Sequence, residues 1–258
     1  MHPAAPSSWL FAGKPRPGAP KLYCFAHAGG SATEYLRWGR DLPNAEFHAV
    51  QLPGRGSRYG QPMYASMEEL VAAFVDEVTL SPQPYAFFGH SLGSLVAYEV
   101  TRALRDAGRP LPARLILSAF PPPHHRHPRA MNPLHRLGDD DLLERVAKIH
   151  GGIPQEVLDS PELRALVIDA LRDDYRILET YTWREADPLP VPLTVFGGRA
   201  DPTHGRLDDW RSHTSRELTV RQFPGGHFYL REEPGPVLLA LAEALSDVRT
   251  PAPGGPAY

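Results

Sequence analysis

Most of the chain alternates between short apolar runs and longer stretches in which apolar positions recur every three or four residues. The apolar runs have the length of buried strands; they lie at about 21–26, 47–52, 85–88, 114–119, 193–196 and 217–223. Helical spacing is clearest from Met67 to Leu80, and further helices are expected from about Thr33, Ser94 and Pro236. This alternation predicts an α/β fold with a mostly parallel sheet whose strands are joined through helices.

The alternation stops over residues 120–187, where helices are expected to follow one another without an intervening strand. The acids Asp139–Asp141 favour the start of one helix. Another helix carries one apolar face, made of Leu163, Leu166, Val167, Ala170, Leu171, Tyr175 and Leu178. We interpret 120–187 as a helical lid, because ligands of such sheets bind at the carboxyl ends of the strands. An insertion without a role in binding is the alternative.

The predicted organisation is therefore a core with one insertion and two loose ends. Residues 1–20, rich in Pro, Gly, Ala and Ser, are expected to form a flexible N-terminal arm. The core comprises 21–119 and 188–248, and 249–258 form a Pro/Gly tail that we expect to be disordered.

Composition and charge exclude several classes of protein. Of the 258 residues, 42% are hydrophobic and 22% charged, and 27 basic against 30 acidic residues leave a net charge of −3. The sequence has neither a basic stripe for nucleic acid nor the apolar run of roughly 18 residues that a membrane span needs. The single cysteine, Cys24, lies in an apolar run, and the N-terminus lacks a signal-peptide pattern. We therefore expect a cytoplasmic protein that binds neither nucleic acid nor membrane.

The stretch Gly89-His90-Ser91-Leu92-Gly93 fits the pattern G-x-S-x-G, the nucleophile elbow of α/β-hydrolases. An apolar strand precedes it and a helical pattern follows it, which is the context that the motif requires. A serine at such a turn presents its hydroxyl to a cleft, and the flanking glycines avoid clashes at the turn. The sequence thus predicts the α/β-hydrolase fold, with helices flanking the sheet and Ser91 as the nucleophile.

A serine hydroxyl needs a base, and in this fold the acid and the histidine follow the serine in that order. Asp201 comes just after the strand that ends near Phe196, and His227 comes just after the strand that ends at Phe223. We expect Asp201 to orient His227, which would take the proton of Ser91. Three other acids, Asp187, Asp208 and Asp209, are weaker candidates, because none directly follows an apolar strand.

The oxyanion of an acyl-transfer reaction needs backbone N–H donors. We expect one from Leu92, the residue after the nucleophile, and one from the glycine-rich loop after the first predicted strand. In that loop Ala28 is the first choice and Gly29 the second, and His27 and Gly29 are expected to contact substrate.

The other histidines are expected to have no catalytic role. His90 fits a packing and hydrogen-bonding residue. The cluster His124, His125 and His127 lies between prolines without further ligands at metal-binding spacing, so an exposed loop is favoured over a metal site. A phosphate loop and a dinucleotide fingerprint are also missing from the sequence, so neither a metal ion nor another cofactor is expected.

Five motifs occur in an order that resembles the type II thioesterases of modular polyketide synthases and nonribosomal peptide synthetases. They are the segments 25–32 (FAHAGGSA), 51–55 (QLPGR), 89–94 (GHSLGS), 197–202 (GGRADP) and 226–228 (GHF). The resemblance covers about residues 20–245. The first motif reads Phe-Ala-His where the family often has Phe-Pro-His, and the acid motif varies on Gly-x-x-Asp; neither departure removes a catalytic atom.

The resemblance implies hydrolysis of acyl thioesters on the phosphopantetheine arm of acyl or peptidyl carrier proteins. Such enzymes clear aberrant or stalled acyl groups through an acyl-serine intermediate, here on Ser91. The partner would be a carrier-protein domain of a synthase, the phosphopantetheine would belong to that substrate, and the enzyme would act as a monomer.

Other functions remain open from the residues. A free-standing carboxylesterase or lipase-like hydrolase would use the same three side chains. A noncatalytic scaffold that binds carrier proteins is disfavoured by the intact Ser91, Asp201 and His227. A terminal cyclising thioesterase domain is disfavoured because no synthase module is attached to the sequence.

Overall fold

The computed structural model describes residues 9–82, 84–125, 132–202 and 204–248. Seven strands form one sheet in the order β1-β3-β2-β4-β5-β6-β7. Their bounds are β1 Leu10–Ala12, β2 Lys21–Phe25, β3 Glu46–Val50, β4 Tyr85–His90, β5 Arg114–Ser118, β6 Leu193–Gly198 and β7 Leu218–Phe223. The strands β2 to β7 pair in parallel, and only β1 runs antiparallel, to β3. This sheet confirms the predicted α/β fold.

Helices connect the strands or flank the sheet. They are α1 Thr33–Leu36, α2 Trp38–Asp41, α3 Met67–Glu77, α4 Leu92–Asp106, α5 Asp139–His150, α6 Gln155–Asp159, α7 Pro161–Thr180, α8 Tyr229–Glu232 and α9 Pro234–Ser246. Short 3-10 segments lie at Gly56–Arg58, Pro123–His125 and Leu134–Arg136, and a longer one at His204–His213.

The side chains of alternate strand residues build two core layers, one on each face of the sheet. Tyr23 and Phe25 of β2 belong to the layer under α3 and α4, whereas Leu22 and Cys24 belong to the layer under α1, α2 and α9. All six residues of β4 are buried. Because both faces of β4 are covered, its sequence is a continuous apolar run, as expected for a central parallel strand.

Between β5 and β6 the chain forms the helical insertion, by which we mean α5, α6 and α7. Its apolar side chains form a small core of their own around Leu142, Leu143 and Ile168. The longest helix, α7, begins at a cap where the Ser160 hydroxyl accepts the N–H of Leu163 at 3.2 Å. The residues of 120–187 that the structure describes contain helices and turns but no strand.

The N-terminal segment differs from its prediction as a loose arm over residues 1–20. Residues 10–12 form the edge strand β1, which pairs with residues 48–50 of β3. Before it, Trp9 is fully buried, and its indole N–H donates to Glu77 at 2.8 Å. A three-residue strand leaves too short a pattern in a Pro- and Gly-rich stretch to be recognised. The predicted tail, 249–258, lies outside the described residues.

None of the helices in the described ranges combines the length and the apolar character that crossing a membrane would require.

Candidate active site

Ser91 lies at the sharp turn between β4 and α4, in a strained backbone conformation. Its φ of 54° and ψ of −120° lie in a region that side-chain-bearing residues rarely adopt. The turn is held in place because the N–H of Ser91 donates to the carbonyl of Ser118 in β5 at 2.8 Å. A serine at such a strand-to-helix turn exposes its hydroxyl at the top of the sheet. Ser91 lines a cavity there.

The two glycines of the motif are required by close backbone approach. A Cβ on Gly89 would lie 2.2 Å from the carbonyl oxygen of Gly93, and one on Gly93 would lie 2.1 Å from that of Phe25. Helix α4 can therefore start directly against β2 and β4 only if both positions lack a side chain. The hydroxyl of Ser94, 2.7 Å from the Gly89 carbonyl and 2.9 Å from the N–H of Ser118, fastens the same turn.

An aspartate and a histidine meet beside this turn. Asp201 follows β6 and His227 follows β7, and Nδ1 of His227 lies 2.6 Å from Oδ2 of Asp201. Both side chains are buried, with 5% of His227 and 1% of Asp201 exposed. Since Nδ1 faces the carboxylate, Nε2 is the ring nitrogen left to accept a proton.

The three alternative acids lie elsewhere. Asp187 and Asp208 are exposed, and Asp209 lies 2.7 Å from Nε2 of His125. Of the four candidates, Asp201 is thus the acid that contacts His227.

Ser91 and His227 line one cavity of about 1390 Å³. The loop of residues 27–30 lines part of this cavity, and the helical insertion lines another part. The insertion residues that line the cavity are mostly apolar; they include Leu143, Val146, Ile153, Val157, Leu166, Val167, Ala170 and Leu171. The cavity can therefore hold a long, partly apolar molecule with its reacting group near Ser91.

The loop of residues 27–30 forms a tight turn and lines the same cavity as Ser91. Gly30 N–H donates to the carbonyl of His27 at 2.9 Å, and Gly29 N–H donates to Oδ2 of Asp174 at 2.7 Å. Of the N–H groups of residues 28–30, all of them described, that of Ala28 is the one left for a substrate. The N–H of Leu92 lies in the first turn of α4, where no preceding helical carbonyl can accept it. Ala28 and Leu92 are the two residues whose N–H groups the sequence analysis predicts as oxyanion donors.

The histidine of this loop, His27, is buried between two charged side chains. Its Nδ1 lies 3.4 Å from a carboxylate oxygen of Glu34, and its Nε2 lies 3.0 Å from Nη2 of Arg231. Burial lowers the pKa of His27 to about 4. The Glu34 carboxylate acts in the opposite direction, and the Arg231 guanidinium lowers the pKa further. His27 is therefore neutral at pH 7 and lines the cavity as a polar, uncharged group.

Two further histidines surround His227. The ring of His150, the last residue of α5, lies 4.4 Å from that of His227, and the ring of His90 lies 5.2 Å away. Burial and the proximity of His227 lower the pKa of His150 to about 4 and that of His90 well below its ordinary value. Nδ1 of His90 lies 2.8 Å from the Ser118 hydroxyl. Both rings thus enclose His227 without adding positive charge at pH 7.

Sequence reasoning missed the residues that attach the helical insertion to this site. Arg231 of α8 donates to Glu34 at 2.6 Å and to the carbonyl of Gly152, just after α5, at 2.8 Å. Asp174 of α7 binds Arg55 in addition to Gly29. Arg55 belonged to a recognised motif, and Asp174 was visible as an acid on the apolar face of α7. Their pairing joins positions 119 residues apart, which one sequence does not reveal.

His124 and His213 form a separate contact outside the cavity that Ser91 and His227 line. Nδ1 of His124 lies 2.6 Å from Nε2 of His213, and His127 is outside the described residues. Within the described ranges, no group of three metal-binding side chains has a geometry suited to a metal ion.

Comparison with known proteins adds a family. A family model described as "Thioesterase domain" matches residues 20–246. The chain is 30% identical to gramicidin S biosynthesis protein GrsT of Aneurinibacillus migulanus, covering 90% of this chain and 91% of that protein. Thioesterase PikA5 of Streptomyces venezuelae is 35% identical, with 87% and 81% covered. Among solved structures, the type II thioesterase BorB from the borrelidin biosynthetic cluster superposes with a TM-score of 0.81 at 35% identity, covering 92% of this chain and 97% of that chain.

Proposed function

The chain belongs to the thioesterase family, and from this premise we propose that it hydrolyses acyl thioesters carried on the phosphopantetheine arm of acyl or peptidyl carrier proteins. The membership agrees with the resemblance seen in the sequence motifs. The specific substrate is proposed because similar solved structures are described as a type II thioesterase from the borrelidin biosynthetic cluster, as ClbQ from the colibactin NRPS/PKS pathway and as a type II thioesterase from the yersiniabactin NRPS/PKS pathway. In such a pathway the enzyme would remove aberrant or stalled acyl groups.

The observation that carries the proposal is the joint position of Ser91, His227 and Asp201 beside one large cavity. A strained serine at a helix start, a histidine free at Nε2 and a buried carboxylate on Nδ1 provide a nucleophile, a base and an orienting group. The three side chains come from the ends of β4, β6 and β7. They therefore lie at the carboxyl edge of the sheet, where α/β proteins bind their ligands.

The proposed reaction has two stages. In the first, Nε2 of His227 takes the proton of the Ser91 hydroxyl while its oxygen attacks the thioester carbonyl. The carbon–sulfur bond breaks, the proton passes from His227 to the departing thiolate, and the acyl group is left on Ser91. In the second stage His227 takes a proton from water, the hydroxide attacks the acyl ester, and Ser91 regains its proton as the carboxylic acid leaves.

Charge on the carbonyl oxygen develops in both stages. We assign its stabilisation to the N–H groups of Ala28 and Leu92, and contacts to the rest of the substrate to His27 and Gly29. These steps use only protein groups and water, so the proposed reaction requires neither a metal ion nor a cofactor of the enzyme.

The cavity suits a substrate that is long and variable at its acyl end. Its wall from the helical insertion is largely apolar, so acyl groups would bind through contact area and not through specific hydrogen bonds. One methylene in such a pocket changes discrimination by only about 1–3 kcal/mol. We therefore propose broad tolerance of short and medium acyl groups, as removal of diverse misloaded groups would need.

The setting of the enzyme is also part of the proposal. We propose that it acts as a monomer in the cytoplasm on a carrier-protein domain. The free, buried thiol of Cys24 is compatible with a reducing compartment.

The test compares a series of acyl groups offered on a carrier protein, as small thioesters and as oxygen esters. We expect hydrolysis of many acyl groups, with higher kcat/KM for the carrier-bound thioesters than for either small substrate. The Ser91→Ala variant should lose on the order of 10⁶ in kcat, by analogy with serine proteases. A strong preference for oxygen esters would indicate a carboxylesterase. Carrier binding without turnover by the parental protein would indicate a noncatalytic scaffold.

A further inference from the structure

A buried ion pair joins the helical insertion to the core near the nucleophile. Arg55, in the loop after β3, places Nη1 2.5 Å from Oδ2 and Nη2 2.6 Å from Oδ1 of Asp174 in α7. Arg55 is 5% exposed and Asp174 is fully buried. Removing two charges from water is costly, and the cost is offset only when geometry and further hydrogen bonds are good. The two-point contact meets this requirement.

The further hydrogen bonds of the pair go to the loop that carries Ala28. Oδ2 of Asp174 accepts the N–H of Gly29 at 2.7 Å, and Nη1 of Arg55 donates to the carbonyl of Gly30 at 3.2 Å. Helix α7 also packs on this loop, because a Cβ on Gly29 would lie only 3.0 Å from Leu171 Cδ1. Arg55 of the core and Asp174 and Leu171 of α7 thus all contact this loop.

These contacts restrict the direction of the N–H of Ala28. Peptide units are planar, so fixing the N–H of Gly29 fixes the whole unit between Ala28 and Gly29. The Gly30 N–H closes the turn on the carbonyl of His27, which belongs to the unit that contains the N–H of Ala28. The peptide unit that contains the Ala28 N–H and the unit that follows it are thus both held by hydrogen bonds. The Ala28 N–H therefore has little freedom to change direction.

We propose that Asp174 is a positioning residue for the oxyanion hole: together with Arg55, it holds residues 27–30 in the conformation that directs the N–H of Ala28 at the substrate oxygen. Because Asp174 belongs to α7, the oxyanion hole is complete only when the helical insertion is docked on the core. The inference rests on the proposed role of Ala28 in thioester hydrolysis. It assigns to the insertion a part in the chemical step besides its part in the acyl pocket.

The first experiment uses the Asp174→Asn variant, which keeps the shape of the side chain but weakens both contacts. We expect kcat to fall about 10- to 100-fold with KM little changed, less than the roughly 10²–10³ lost when an oxyanion donor is removed outright. A trifluoromethyl ketone analogue of an acyl-pantetheine forms a tetrahedral adduct with the serine and uses the same donors. Its affinity should fall by the same factor as kcat/KM, whereas a purely structural role would not link the two.

Glu179→Gln is the matched control. Glu179 lies on the same helix, is largely buried, and accepts the N–H groups of Leu134 and His135 at 2.8 and 3.1 Å. These bonds join α7 to the 3-10 segment Leu134–Arg136 without contacting residues 27–30. The control should retain parental kcat and inhibitor affinity. An equal loss in Glu179→Gln would overturn the proposal, because general loosening of the insertion would then explain both variants.

The double variant Arg55→Met/Asp174→Leu tests the proposal even if the Asp174→Asn variant fails to fold. Replacing both members of a buried ion pair with apolar side chains is often neutral for stability. It still removes the acceptor of the Gly29 N–H, so we expect the same parallel loss of kcat and inhibitor affinity in a folded protein. Parental kcat in the folded double variant, or a raised KM with unchanged kcat in either variant, would refute the positioning role. An inactive parental protein would instead refute the proposed function itself.

Discussion

The proposed roles of Asp201 and His227 depend on the burial of both side chains and on one short contact between them. The carboxylate of Asp201 faces Nδ1 of His227 at 2.6 Å, and both side chains are shielded from water. In low dielectric this contact favours the tautomer that carries its proton on Nδ1 and leaves Nε2 as a base. The tautomer, and not the position of the ring alone, therefore depends on the charge of Asp201.

The Asp201→Asn variant tests this dependence. An amide of the same shape can present its NH₂ to Nδ1 and favour the wrong tautomer, so we expect kcat to fall by roughly 10⁴ by analogy with serine proteases. Steady-state kinetics on an acyl thioester provides the measurement, with Asp208→Asn and Asp187→Asn as controls on exposed acids. A near-parental Asp201→Asn beside a crippled control would mean that the acid has been assigned wrongly.

At this scale the sequence is informative where the function of a residue depends on its immediate neighbours. Ser91, Asp201 and His227 each follow an apolar strand in a turn, and strand and turn are local signals. Asp174 and His150 approach the site from the helical insertion. Their positions depend on how α5 and α7 dock on the core, and neither the spacing nor the composition of one sequence specifies that docking.

The elbow between β4 and α4 is the element on which the site depends. Its geometry needs β2, β4 and α4 to approach so closely that Gly93 faces the backbone of Phe25 and Ala26. Backbone atoms cannot be displaced without disturbing the hydrogen bonds of the sheet. The glycine is therefore a requirement of the fold as much as of catalysis.

Substituting Gly93 by alanine should destabilise the protein even though position 93 is helical. The added Cβ would lie 2.1 Å from a carbonyl oxygen, and relieving such overpacking typically costs about 1–3 kcal/mol or more. Chemical denaturation measures the change in the free energy of unfolding. Gly60→Ala is the control, since a Cβ there meets nothing within 4 Å. Equal stability of the two variants would show that the elbow can relax without cost.

Elements were predictable in proportion to their length and periodicity. The strands β2 to β7 and the helices α3, α4, α5, α7 and α9 lie where apolar runs or helical spacing predicted them. The three-residue β1 and the four-residue α8 were missed, because elements of this length contain too few positions to establish a period. Both are held by contacts distant in sequence or by neighbouring helices, as the pairing of β1 with β3 illustrates.

Among the described residues, burial lowers the pKa most strongly for four histidines, and it also lowers the pKa of His48 and His124. Burial lowers the pKa of His27, His150 and His213 to about 4 each, and that of His90 well below its ordinary value. His213 lies between Asp201 and His227 in the sequence but contacts Tyr98, whose hydroxyl is 2.8 Å from its Nδ1. In the unfolded chain all four would titrate near their ordinary value of about 6.5.

Acidification should therefore destabilise the protein between about pH 6.5 and pH 4. In this window the unfolded chain binds more protons than the native state, so the free energy of unfolding rises with pH and falls as pH is lowered. Each such histidine contributes a slope of up to about 1.4 kcal/mol per pH unit. The lowered pKa of Glu46 acts in the same direction, and the raised pKa of the half-buried Asp173 opposes it.

Calorimetric Tm values from pH 7.5 to 4.5 measure the effect. His213→Gln, which can keep the hydrogen bond to Tyr98, should flatten the decline. A Tm that stays constant over this range would show that these histidines are already protonated, or already solvated, in the native protein.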